Sequence, residues 1–321
     1  MPRTLGLLVG VLTVLAAALP LSAQSYPSGT ITLVIPLSPG DAADVAGRAM
    51  ADELAKLLKV PVVPMNRPGA GMAIGTDSVV KAKKDGYTIL IAPNAALVSG
   101  RILNPDLVTY DPLKDLAPLG LASRTPLILT VRGDAPWKNL GEMVEFAKKN
   151  PGKVRAATVG TGSVGHFSIE VVNSLTGAGM TPIPFKGGAP AITALLGGHV
   201  EVAALSVGAT SGHLKSGAMR GLAVSSKTPA FPEIPTLTEL GYRQGLPGIW
   251  FAFYAPAGLP AEVTKVLLPA IEKVVKDPAI AARLAPLGVI QEYAPPDKVL
   301  AEIREEYRVL EDVARKAGLV K

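Results

Sequence analysis

The chain has 321 residues, a formal net charge of +6, 48% apolar residues, 5% aromatic residues and no cysteine. The missing cysteine excludes thiolate catalysis, Cys-ligated metals, disulfides and a lipid-attached N-terminal Cys, and it suits an oxidising compartment where free thiols are a liability. A chain this long stabilises itself by burial alone. The sparse aromatics exclude base-stacking platforms, and no nucleic-acid partner is expected. The basic residues are dispersed, with Lys81 to Lys84 the densest group, so the charge can steer small anions toward the surface and do little more.

Residues 1–23 have three parts. Arg3 is a short positive region, Leu5 to Leu19 is an apolar run, and Leu21-Ser22-Ala23 offers small residues before Gln24. This pattern predicts a cleaved secretory signal peptide and an exported, periplasmic product. Pro20 closes the run before the roughly 20 apolar residues a membrane span requires.

Strand and helix signals then alternate along the chain. Ile31–Ile35 reads as a buried strand. Residues 42–58 read as a helix, with Val45, Ala49, Leu54 and Leu57-Leu58 near helical spacing. A strand at 60–64, a helix at 75–83 and a strand at 87–92 follow. The rhythm restarts with strands at 127–131, 154–158, 180–185, 200–205 and 221–225, separated by helices at 139–149, 163–175, 189–196 and 209–216. Such repetition predicts parallel sheets covered by helices, and about 300 residues divide naturally into two domains. After a Pro-rich connection (Pro229, Pro232, Pro235), residues 248–255 read as one more strand, followed by helices at 261–275 and 298–316. With too few strands for a third domain, this last part is expected to return to the first. The predicted division is residues 24–124 with 253–321 as domain 1 and 125–252 as domain 2. Two crossings make a hinge over a cleft.

The residues along this frame resemble the periplasmic substrate-binding proteins of tripartite tricarboxylate transport systems, the Bug or TctC-like family. The resemblance covers essentially the whole mature chain. It runs through Leu33-Val-Ile-Pro36, Asn66-Arg-Pro-Gly-Ala-Gly71, Asp85-Gly-Tyr87, Tyr110-Asp-Pro-Leu-Lys-Asp115, Asn150-Pro-Gly-Lys153, Gly160-Thr-Gly-Ser163 with His166, Pro184-Phe-Lys-Gly187, Leu195-Leu-Gly-Gly198, Trp250-Phe251 and Ala255-Pro-Ala-Gly258. Each piece is weak alone; their joint order and spacing are specific. The resemblance implies a type II periplasmic binding protein fold, the Venus flytrap, in which two Rossmann-like α/β domains are joined by a two-strand hinge. It also implies a small carboxylate ligand, integral-membrane transporter subunits as partners, no cofactor, no catalysis and no stable homo-oligomer.

The residues themselves support such a cleft. Two loops follow strands and open helices, so each presents unpaired N–H groups at the positive end of a helix dipole. The first contains Leu37, Ser38, Pro39, Gly40, Asp41 and Asp44. The second contains Gly160, Thr161, Gly162, Ser163 and His166. Glycine permits close backbone approach, and Thr161 and Ser163 add hydroxyl donors. Each hydrogen bond to a charged carboxylate contributes roughly 1.5–3 kcal/mol, so a few per loop suffice without an arginine clamp. Asn94 and Ala95 follow a strand where a third cleft loop is expected, and Lys186-Gly187 and Ser206 follow two more. The plainer readings stand beside these: Asp41 and Asp44 as an N-cap and an N3 acid, His166 as a packed polar residue, Lys186 as a solvated side chain.

Three departures from the family pattern bear on the ligand. Asp41 stands where the family has a second glycine, Leu205-Ser206 where it often has an aspartate, and Leu37 where it often has an aromatic residue. An aspartate at a helix start competes with a second ligand carboxylate. The expected ligand therefore sets one carboxylate on the 161–163 loop and turns an apolar or amine-bearing end toward Asp41. Other functions fit less well. Gly160-Thr-Gly-Ser-Val-Gly165 matches the dinucleotide fingerprint, but no acid follows at about 20 residues to hold a ribose. No G-x-S-x-G elbow is present, and His166, His199 and His213 lack metal-ligand spacing. Delivery of ligand to a sensor ectodomain would use the same fold and cleft.

Overall fold

The computed structural model describes residues 26–37, 39, 42–316 and 318–320. The predicted signal segment and the loop residues Ser38, Gly40 and Asp41 lie outside the described residues. The first part of the chain builds β1 (Ile31–Ile35), α1 (Ala42–Leu58), β2 (Val62–Asn66), α2 (Ala73–Val80), β3 (Thr88–Pro93), the short helices α3 (Asn94–Leu97) and α4 (Ser99–Leu103), and β4 (Leu116–Thr125). After Pro126 come β5 (Leu127–Arg132), α5 (Leu140–Lys149), β6 (Arg155–Thr158), α6 (Val164–Thr176), β7 (Thr181–Pro184), α7 (Gly188–Leu196), β8 (Val202–Ser206), α8 (Val207–Lys215) and β9 (Met219–Val224). The chain then forms β10 (Ile249–Pro256), α9 (Ala261–Val275), α10 (Pro278–Leu284), β11 (Ile290–Gln291) and α11 (Pro296–Lys316).

Two sheets result, ordered β11-β4-β10-β3-β1-β2 and β7-β6-β8-β5-β9. β1 runs parallel to β2 and β3, and β6 runs parallel to β7 and β8. β10, however, lies antiparallel between β3 and β4, and β5 lies antiparallel between β8 and β9. Both sheets are therefore mixed, and the expectation of parallel sheets holds only for the strand–helix–strand units. In the first sheet both faces of the inner strands are covered, which is why β1, β3 and β10 are nearly continuous apolar runs. Leu33, Ile35, Ile91 and Phe253 pack with Met50, Leu54, Leu267 and Ile271 on one side. Val34, Leu90, Ala92 and Tyr254 face the other way, toward Val299, Ile303 and Leu310 of α11.

The structure departs from the sequence expectation in three further places. The first is β4, a strand that Pro118 and Gly120 argue against. It is accommodated through irregular pairing with β10, whose register shifts at Phe251/Ala252 and again at Phe253/Tyr254. Gly120 sits at φ 143° beneath Tyr293, where a Cβ would lie 2.9 Å from the ring. The second is the boundary near 253: β10 starts at Ile249, opposite Thr125, so residues 249–252 belong to the first sheet. The third is α11. α9 and α10 return to the first domain, contacting α1, but α11 packs on β4, α4 and also α6 of the second sheet. Its buried residues, Val299, Ile303, Leu310, Val313 and Ala314, form one helical stripe that joins a core shared by both domains.

The two crossings lie side by side. Leu127 N–H donates to Ser225 Oγ (3.0 Å), and Ser225 N–H donates to the Leu127 carbonyl (2.8 Å). A Cβ on Gly248 would lie 3.4 Å from Ser225 Oγ. The chain between 225 and 248 packs Phe231 and Ile234 against Ile128 and Val224 of the second sheet.

Candidate functional site

Parallel pairing decides where the loops gather. β1, β2 and β3 end at Ile35, Asn66 and Pro93, on the edge of their sheet where β4 ends and β10 begins. β6 and β8 end at Thr158 and Ser206, and Ser206 lies opposite Leu127 at the start of β5. The crossings therefore join the carboxyl ends of both sheets, and the loops leaving those ends converge on one interdomain cleft. Ligands of open α/β sheets bind outside such strand ends.

The loop between β6 and α6 turns on two glycines. Gly160 and Gly162 adopt φ 135° and 80°, which side chains with a Cβ rarely reach. Ser163 is the N-cap of α6, its hydroxyl accepting from the His166 N–H at 3.2 Å. The Gly162 N–H donates to Nδ1 of His166 at 3.0 Å. The N–H groups of Val164 and Gly165, in the open first turn, meet no acceptor among the described residues. Gly165 is needed for packing, since a Cβ there would lie 2.5 Å from the Ala204 carbonyl of β8. Thr161 is exposed. Across the cleft, a Cβ on Gly162 would lie 3.6 Å from both the Asn104 amide and Leu103, at the end of α4.

His166 is 7% exposed, and burial pushes its pKa below the ordinary value. Glu170 Oε1 lies 3.8 Å from Nε2, beyond hydrogen-bond reach, and burial pushes the Glu170 carboxyl up. Ser206 repeats the capping arrangement at α8, its hydroxyl accepting from Ala209 N–H at 3.3 Å. Gly187, at φ 116°, opens α7, and Gly188 faces Ala209 of α8. Lys186 is exposed, and no ion pair or hydrogen bond holds it among the described residues.

On the first domain, Asp44 is buried at 3% exposure. Its two carboxylate oxygens each accept from Arg48 Nε at 3.0 Å, and Oδ1 also accepts from Asn66 Nδ2 at 2.8 Å. The same Asn66 amide donates to the Leu37 carbonyl at 3.0 Å, while its oxygen accepts from Arg48 Nη2 at 2.6 Å. Asp44 and Asn66 thus tie the first loop to the end of β2, and Leu37 is held through its backbone. Pro39 is exposed. Asn66, which carried no role in the sequence reading beyond its family motif, is the residue that links Asp44 to the loop.

Asn94 is wholly buried, and its side chain does not face open space. Its amide donates to the Gly248 carbonyl (3.0 Å) and to Glu306 Oε1 (2.6 Å). Glu306 Oε2 accepts from Trp250 Nε1 at 2.7 Å. The side chain is spent on the hinge, which leaves the start of α3 and the largely buried Ala95 at the cleft edge. Burial pushes the Glu306 carboxyl up to about 7. One helical turn before it, Glu302 accepts two bonds from Arg124, at 2.6 and 2.9 Å, and Arg124 also reaches Glu292 at 2.9 Å. No sequence motif announced this hinge network, because its partners lie more than 50 residues apart.

Two hollows lie outside these loops. One of about 830 Å³ flanks β9 at the far end of the second sheet, lined by Lys138, Lys215, Arg220 and Tyr242. The other, about 340 Å³, sits behind the hinge between Arg124, Trp250, Glu302 and Leu310. Among the described residues no group of His, Cys, Asp or Glu is arranged to hold a metal ion, and no helix is long and apolar enough to cross a membrane.

The profile of the family described as tripartite tricarboxylate transporter family receptor matches residues 46–319. Protein BugT of Bordetella pertussis is 34% identical over 321 residues, covering 99% of this chain and 98% of that protein. The solved structure of the periplasmic binding protein BugD superimposes with a TM-score of 0.78 at 31% identity, covering 92% of this chain and all of that one. Rpa4515 of R. palustris with adipate gives a TM-score of 0.80 at 28% identity, covering 91% and 98% of the two chains. MatC from Rhodopseudomonas palustris with bound malate gives 0.76 at 28% identity, covering 90% and 99%.

Proposed function

Because this chain belongs to the tripartite tricarboxylate transporter receptor family, we propose that it is a periplasmic receptor that captures a small carboxylate between its two domains and delivers it to membrane transporter subunits. Members of this family bind solutes and do not catalyse reactions. The observation that carries the reading is the convergence of strand ends on one cleft, with the open first turn of α6 supplying unsatisfied N–H donors there. A carboxylate at this point receives the Val164 and Gly165 N–H groups and the Ser163 hydroxyl, whose oxygen caps the helix while its proton remains available. The helix dipole adds to the attraction. Thr161 and Ser206 flank this position, with Lys186-Gly187 at its rim. Leu37 and Pro39 face it with Ala95 at the start of α3, Asp44 braces that loop through Asn66, and Ser38, Gly40 and Asp41 of the same loop are candidate contacts by sequence. Adipate and malate in the related structures are both dicarboxylates, and they define the starting panel. Asp41 in the first loop favours a ligand whose second end is apolar or carries an amine. The N-terminal 23 residues serve as the export signal.

The test is a thermal-shift screen of the mature protein against aliphatic dicarboxylates, amino acids and aromatic carboxylates, followed by calorimetry. Binding to the native state alone raises the melting temperature by mass action. A shift confined to carboxylates is the expected result. Absence of any shift, with no copurified acid detected by mass spectrometry of the denatured protein, would refute it.

A further inference from the structure

His166 is the third residue of α6, within the first turn of the helix, which lies beside the cleft. The obvious role for a histidine here is to donate to the ligand or, when protonated, to attract its charge. The geometry points elsewhere: we propose that His166 is a positioning residue, whose neutral ring accepts the Gly162 N–H and so shapes the carboxylate-binding turn without touching the ligand. This inference rests on the receptor reading above and assigns the working of that same site.

Three observations carry it. The Gly162 N–H lies 3.0 Å from Nδ1, so that nitrogen is the acceptor and the ring proton resides on Nε2. Nε2 points along the helix toward Glu170, away from the first turn. The ring is buried, and the donor it captures belongs to the glycine whose φ of 80° bends the loop. One N–H of the loop is thereby withdrawn from the cleft, and those of Val164 and Gly165 are left as a pair aimed at an anion. His166 also binds the loop at both ends, since its own N–H is held by Ser163.

Protonation would place a hydrogen on Nδ1, facing the Gly162 N–H, and the loop would have to open. Burial and the positive end of the helix both oppose that charge. Among the described residues the only carboxylate within 4 Å of the ring is Glu170 on the same helix; none approaches from α4, α11 or β8. The sign of the pH effect therefore separates the two roles. A histidine that contacts the ligand binds an anion more tightly when protonated. A histidine that positions the loop binds it more weakly, and affinity falls as the pH is lowered through the depressed pKa of His166.

The experiment has two arms. Nitrogen-15 NMR of the ligand-free protein reads the tautomer directly, and the expected result is an unprotonated Nδ1 with a Gly162 amide protected from exchange. Calorimetry with the tightest ligand of the dicarboxylate panel then compares His166→Asn, His166→Leu and Glu170→Gln from pH 7.5 to 5. Asparagine keeps an acceptor near the Nδ1 position without titrating. His166→Asn is expected to bind within about threefold of the parent and to lose the acid-induced weakening. His166→Leu is expected to bind about tenfold more weakly, the loss of one hydrogen bond. Glu170→Gln is expected to retain the parent's pH dependence. A proton on Nδ1, or affinity that rises on acidification, overturns the proposal. Failure of every carboxylate to bind while the NMR result holds would count against the receptor reading and leave the loop geometry standing.

Discussion

The hinge carboxylate Glu306 gives a quantitative prediction. It is enclosed by Asn94, Trp250 and the Arg124–Glu302 pair, and burial raises its pKa from 4.5 to about 7. The unfolded chain releases this proton near 4.5, whereas the folded chain holds it until about 7. Between those values the folded state binds more protons than the unfolded state, so stability declines as the pH rises. Below 4.5 and above 7 this group contributes no slope. Each pH unit in the window is worth about 1.4 kcal/mol, so the decline attributable to Glu306 is about 3 kcal/mol. In Glu306→Gln one of the two donors, Asn94 or Trp250, loses its acceptor. That cost is independent of pH, so the comparison lies in the slopes. Urea denaturation at pH 4.5, 5.5, 6.5 and 7.5, for parent and variant, is expected to show the parent losing about 3 kcal/mol more than the variant across the range. Identical pH profiles would refute the reasoning and mean that Glu306 ionises as freely in the fold as in the unfolded chain.

Other sites give sharp expectations. Gly165→Ala sets a Cβ 2.5 Å from the Ala204 carbonyl, and the cost is expected to be about 1–3 kcal/mol in a urea melt; Gly152→Ala, whose Cβ has open space at a left-handed φ of 72°, is a comparison strained by its backbone alone. Asn66→Ala removes the link between Asp44 and the Leu37 carbonyl, and is expected to weaken carboxylate binding about tenfold by calorimetry. Asp41→Gly is expected to improve affinity for dicarboxylates; an unchanged ligand profile would show that Asp41 does not select the ligand.

Most of the strand and helix order was legible because it depends on local patterning. The Ile31–Ile35 run, the α1 span and the β6–Gly-rich loop–α6 unit all emerge from apolar periodicity and turn residues. β4 was not, since Pro118 and Gly120 mimic a break, and only its partners on β10 and the bulges between them make it a strand. The glycine-rich turn before α6 followed from spacing along one segment, whereas the Ser163 cap, expected only as a hydroxyl donor, came from the structure. The place of Asn94 did not, because its fate depends on Glu306, 212 residues away.

By itself the sequence determined the family, the α/β class, two sheets of parallel-type units and the loops whose N–H groups open helices. These properties follow from periods of two and 3.6 residues and from glycine, proline and capping residues at short range. Tertiary structure alone decided that α11 joins both domains, that Asn94 serves the hinge, that Asn66 braces the first loop and that His166 accepts a hydrogen bond. Each of these depends on which groups burial brings together, and a side chain enclosed with one donor acts differently from the same side chain facing water.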